Sequence, residues 1–283
     1  MIEAILNYEF LQNAFLSGMI IGVIAPLLGV FIVVRRMSLI ADALSHVTLA
    51  GIAGSLYLSQ TVAALAYLNP IYFGIIASVG GSVLIERLRT LYKHYEDLAI
   101  PIIMSGGIGL SAIFISLASG FSTDLMSYLF GSVSAVSKQD LWVIILIAMI
   151  VIVFLFIFFK EMFVLSFDEE YAKASGLPAR KIHLLFMVVV ALVIAASMRI
   201  VGILLVSSMI TLPVAAAMRL SKSFKQTILF SILFGEASVI IGLVSAFYLN
   251  LAPGGTIVVT SIIILFLVII IKKLVLKMKI ERG

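Results

Sequence analysis

Asp42 and His46 stand four residues apart in the stretch ADALSHVTLAG, residues 41–51, whose other members are apolar, small or hydroxyl-bearing. At i and i+4 their side chains share one helix face, with Cβ atoms about 6 Å apart. A carboxylate beside a neutral imidazole suits a divalent ion such as Mn²⁺, Zn²⁺ or Fe²⁺. Two ligands do not close a coordination shell, whereas a two-fold related copy of the helix would bring the number to four. A structural alternative stands beside this one. Asp42 lies only six residues, about 9 Å of helix, beyond Arg36, and an ion pair with Arg35 or Arg36 would also account for it. Ser45 lies next to the pair and is a candidate for the same path.

Other residues carry weaker signals. Glu236, in LFGEASVI, is an acid inside an apolar run; it lines a pathway or, as we prefer, pairs with Arg199, because a charge in hydrocarbon needs a partner. Pro213 should kink its helix and free a backbone carbonyl, as a gate hinge or as a plain structural bend. Asp124 could receive a cation at the membrane surface, or be a solvated loop acid. His94 and His183 sit at helix boundaries and are assigned no ligand role. The segment SFDEEYAKASGLPARK, residues 166–181, punctuates itself. Ser166 and Glu169 have the spacing of a capping box. Asp168, Glu169 and Glu170 suit a first turn and Gly176 a left-handed cap. This predicts a short helix over about 168–176. Tyr171, Ala172 and Ala174 offer apolar contact points among its charges, as a docking knob or as part of a well-capped surface loop.

The elements that must position these residues are membrane helices. The chain of 283 residues is 63% hydrophobic and 12% charged, about half the charge of a soluble domain. Its apolar residues come in runs of roughly 20, without the period-two alternation of a β-barrel. The fold class is therefore all-α, a polytopic transmembrane bundle of eight or nine spans. We place them at 13–34, 39–58, 62–85, 100–119, 141–159, 182–197, 200–218, 227–249 and 256–271, the sixth being short and open to partial unwinding. Lys and Arg follow the odd-numbered spans and precede the sixth, so those loops and the C-terminus should be cytoplasmic. The residues 1–283 form a single transmembrane domain, with a short re-entrant or interfacial helix expected near 120–140. The first residues lack a basic n-region, so the first run reads as a mature span. Cysteine is absent, which excludes disulfides and thiolate metal sites. The net charge of +5 is a topology signal and points to no nucleic-acid partner.

Taken together, RRMSLIADALSHVTLAGIAG (35–54), LFGSVSAVSKQDL (129–141), SFDEEYAKASGLPARK (166–181), VGILLVSSMITLPVAAAMRL (201–220) and LAPGGTIVV (251–259) resemble the permease subunits of ATP-binding-cassette importers for manganese, zinc or iron. The resemblance covers essentially the whole chain. It implies a bundle like that of the cobalamin and siderophore permeases, a homodimer in the cell membrane, two cytoplasmic ATPase subunits and an extracytoplasmic metal-binding protein. It implies that 168–181 couples to the ATPase, and that Asp42 and His46 contact the metal as a transported substrate, with no permanently bound cofactor. No G-x-x-x-x-G-K-[ST] loop occurs, so ATP hydrolysis is expected on another chain. Two other classes are kept: a proton-coupled secondary metal transporter, and an intramembrane metallo-enzyme.

Overall fold

The computed structural model describes residues 7–62, 67–92, 95–118 and 123–280. In chain order the α-helices are α1 (Glu9–Val34), α2 (Leu39–Thr61), α3 (Pro70–Leu91), α4 (Ala99–Leu117), α5 (Thr123–Phe130), α6 (Lys138–Phe167), α7 (Glu169–Ala174), α8 (Ala179–Val201), α9 (Val206–Leu220), α10 (Phe224–Leu249) and α11 (Pro253–Ile280). Eight are long and apolar enough to cross a membrane. α9, at 15 residues, reaches only about 22 Å. The chain shuttles between a basic end, which holds Arg35, Arg89, Lys173 and Arg219, and an opposite end, which holds Asn69, Asp140 and Arg199.

Local chemistry sets the helix ends. Asn69 accepts from the Ile71 amide at 3.1 Å and precedes Pro70, so α3 starts there. Ser137 and Asp140 form a reciprocal capping box that starts α6. Asn250, at φ 51°, ends α10 three residues before Pro253 opens α11. α1, α2 and α8 are buried over most of their length, whereas α4 and α11 turn most of theirs outward. The centre therefore belongs to α1, to α8 and to the helix that carries Asp42 and His46.

Two expectations change. The span expected over 182–197 runs unbroken through Ala179–Val201, and the unwinding falls after it, at Gly202–Leu205. There the backbone pairs across to the end of α5: Ser132 N–H donates to Arg199 O, Ile203 N–H to Tyr128 O and Leu204 N–H to Leu129 O. Backbone that leaves a helix at membrane depth must find partners within the protein. Gly131 and Gly202 adopt φ of 77° and 84°, and a Cβ on Gly254 would lie 1.8 Å from Val201 O. Secondly, α6 runs to Phe167, eight residues past the expected end.

Candidate functional site

On α2, Leu39, Asp42 and His46 form one open stripe at i, i+3 and i+7. Leu39 is 59% exposed and both ionisable groups are partly exposed, while Ile40, Ala41, Ala43 and Leu44 are buried. Neither Asp42 nor His46 has a hydrogen bond or ion pair within the chain among the described residues. The arginine alternative is not realised: Arg35 meets Glu169 instead, at 3.7 Å. Ser45 is 2% exposed and donates to Ala41 O, so it is withdrawn from the stripe; Thr48 likewise donates to Leu44 O. Glycines let the neighbours close in, since a Cβ on Gly107 of α4 would lie 2.8 Å from Val47 N, and one on Gly51 would lie 2.6 Å from Phe73 O of α3. No group of three or more His, Asp or Glu side chains is poised for a metal among the described residues.

The remaining candidates scatter. Glu236 does not meet Arg199. Its carboxylate lies against Gly22 of α1, with Oε1 buried and without a partner. Arg199 is taken by Asp140 (3.7 Å), Ala135 O (2.9 Å), Asn69 Oδ1 (3.4 Å) and the Tyr128 ring, 4.7 Å from its centroid. Asp140 is wholly buried and also accepts from Ser137 and Asn69. Pro213 is buried inside α9. Asp124 lies on α5, and its side chain is outside the described residues, as is His94.

At the basic end the short helix α7 exists, but its cap differs from the one expected. Ser166 is still inside α6 and bonds back to Met162 O, while Asp168, in an extended conformation, accepts from the Tyr171 amide at 2.8 Å. Gly176 takes φ 80° as expected. The knob divides in two: Tyr171 is 63% exposed, whereas Ala172 is fully buried against the bundle and unavailable to a partner. Glu170 and Ala174 are exposed. Glu169 bonds Lys173 at 2.9 Å. Burial raises the Glu169 carboxyl, but its hydrogen bond to Lys173 and the charges of Lys173 and Arg35 outweigh this and hold it below the ordinary 4.5.

Beneath α7 lies a polar cluster that sequence reasoning missed. His183 Nε2 is 3.2 Å from Glu86 and 2.5 Å from Arg89 Nη1, and Arg89 Nη2 donates to Glu96 at 2.7 Å. Arginine only donates, so a His183 that accepts from it carries its proton on Nδ1. Glu86 and Arg89 have helical i, i+3 spacing, but only the packing of α3 on α8 brings His183 to them.

The model of the ABC 3 transport family matches residues 7–273. The chain belongs to the ABC 3 transport family. A manganese transport system membrane protein, MntC of Listeria innocua, is 37% identical over 94% of this chain and 92% of its own length. The manganese import system permease protein ScaB of Streptococcus gordonii is 36% identical over 93% and 91%. Among solved structures, PsaBC from Streptococcus pneumoniae, in complex with a Fab, superposes with a TM-score of 0.80 at 33% identity, covering 94% of this chain and 93% of that one. This ABC 3 family member is thus an all-helical membrane transport protein.

Proposed function

We propose that this chain is the membrane-spanning permease subunit of an ATP-driven importer of a divalent transition metal, with manganese as the favoured cargo. The observation that carries the reading is the open Asp42–His46 stripe: two metal-competent side chains in an apolar helix, with no partner among the described residues. Leaving such groups unpaired in hydrocarbon costs about 2.5–3.5 kcal/mol for the acid on insertion scales, and a passing cation offsets it. A second copy of the permease, placed with α2 facing α2, completes a shell of four. Ligation by carboxylate and imidazole without thiolate is weak enough to release its ion. Relatives named for manganese favour that metal over zinc or iron. In this reading energy comes from cytoplasmic ATPase subunits seated on α7 around Glu170, Tyr171 and Ala174, and the ion from an extracytoplasmic binding protein. The basic end faces the cytoplasm, as does the lysine-rich C-terminal part of α11. Uptake of radioactive Mn²⁺ by cells that carry the whole system tests the proposal. Asp42→Asn and His46→Ala should each abolish ATP-dependent accumulation, and normal accumulation by both would remove the site.

A further inference from the structure

Arg35 is a buried cation with one near acid. Its side chain is 5% exposed, and Glu169 Oε2 of α7 lies 3.7 Å away. Its Nη1 has no hydrogen-bond partner. Burial lowers the affinity of this guanidinium for its proton, and Glu169 is the first-ranked group that opposes the effect. The dependence is one-sided, because Glu169 also holds Lys173.

The two ends of this pair belong to different machinery. α7 is only six residues long and cannot stand alone. It rests on buried Ala172 and borders two clefts, of about 230 and 430 Å³, that share Glu169 in their walls. Such a helix has room to rock. Arg35, by contrast, caps α1 and begins the turn into α2. That turn is tight: Arg36 sits at φ 58°, Met37 N–H donates to Ile32 O and Ile40 N–H to Met37 O, each at 3.0 Å. It leaves no slack before Asp42 in the first turn of α2.

We infer that Arg35 is a positioning residue, and that the Arg35–Glu169 pair is the link through which displacement of α7 reaches the helix that carries Asp42 and His46. This rests on the importer reading above. At 3.7 Å the pair is in contact but not hydrogen-bonded, so it can tighten or part as α7 moves.

The test uses the complete complex with its ATPase in proteoliposomes, with Mn²⁺ uptake and ATP hydrolysis measured together. Arg35→Gln should leave hydrolysis running while ions moved per ATP fall at least fivefold. If that variant assembles poorly because Glu169 loses its partner, Arg35→Gln combined with Glu169→Gln removes both charges. It should then assemble normally with the ratio still low. Arg35→Glu with Glu169→Arg should recover at least half of the wild-type ratio. A wild-type ratio in the doubly neutral protein, or no recovery in a well-assembled exchange variant, would overturn the link. If the wild-type complex shows no ATP-dependent uptake at all, the importer reading falls and takes this inference with it.

Discussion

Arg199, in the last turn of α8, stands 3.7 Å from the wholly buried carboxylate of Asp140, in the first turn of α6. Asn69 at the start of α3 bonds both. Three helix ends are thereby pinned at the end of the bundle away from α7. Removing one partner of a buried pair leaves an uncompensated charge and costs about 3–5 kcal/mol. Arg199→Met should lower the thermal midpoint of the detergent-purified protein by several degrees. Arg199→Met with Asp140→Asn should lose much less than the sum of the two single changes. Additive losses in a thermal-shift series would show that the two groups do not interact.

The metal pair should behave in the opposite way. Asp42 and His46 have no partner to lose among the described residues. Asp42→Asn and His46→Ala should therefore shift stability by no more than about 0.5 kcal/mol while uptake collapses. A large fall in the midpoint would mean that the two side chains serve structure.

The two neighbours on α7 should separate by phenotype. Ala172→Arg forces a charge into a site with no exposure and should disturb the permease itself, visible as loss of monodisperse protein. Tyr171→Arg changes an exposed ring and should leave the permease intact while weakening co-purification of the ATPase. Equal effects from both substitutions would contradict the division of the knob into an inner and an outer half.

Acidification should loosen α7. The Glu169 carboxyl is held below 4.5 in the folded chain, so its contribution is fully present above that ordinary value and is lost as pH falls through the depressed one. Glu169 is partly exposed, so the effect is local and screened. Protection against hydrogen exchange at 169–176 should be present at pH 7 and be lost as pH falls below the ordinary 4.5, with no such change in Glu169→Gln.

Gly254→Ala should be among the most damaging small substitutions. The added methyl carbon would sit 1.8 Å from a backbone oxygen of Val201, which no rotamer can relieve. A loss of about 3 kcal/mol or more is expected. Gly255→Ala, with nothing within 4 Å, serves as the control for equilibrium unfolding.

Much of the bundle was legible because apolar run length and basic loops are local properties. Asp42 and His46 were legible for the same reason: helical spacing alone places them on one face. The capping serine was misplaced because the apolar helix continues through FVLSF, which keeps Ser166 helical and bonded back to Met162, and breaks only at the extended Asp168, which caps α7. Asp140 and Arg199 were read as unrelated because their meeting depends on how α6 and α8 dock, and spacing along the chain carries no record of that. His183 escaped for the same reason, since a single imidazole at a helix boundary gains meaning only when another helix brings Glu86 and Arg89 to it.

The stretch between α8 and α9 bears on how an ion meets the bilayer. Beside α9 the regular helix occupies about 22 Å of a hydrocarbon layer roughly 30 Å thick. The remainder is peptide with its dipoles displayed at depth, held by the Tyr128–Ser132 strip. Peptide dipoles lower the Born energy of a cation relative to lipid tails. Here those dipoles are already paired with the Tyr128–Ser132 strip, so the non-helical stretch between α8 and α9 holds its depth only while the end of α5 stays docked on it.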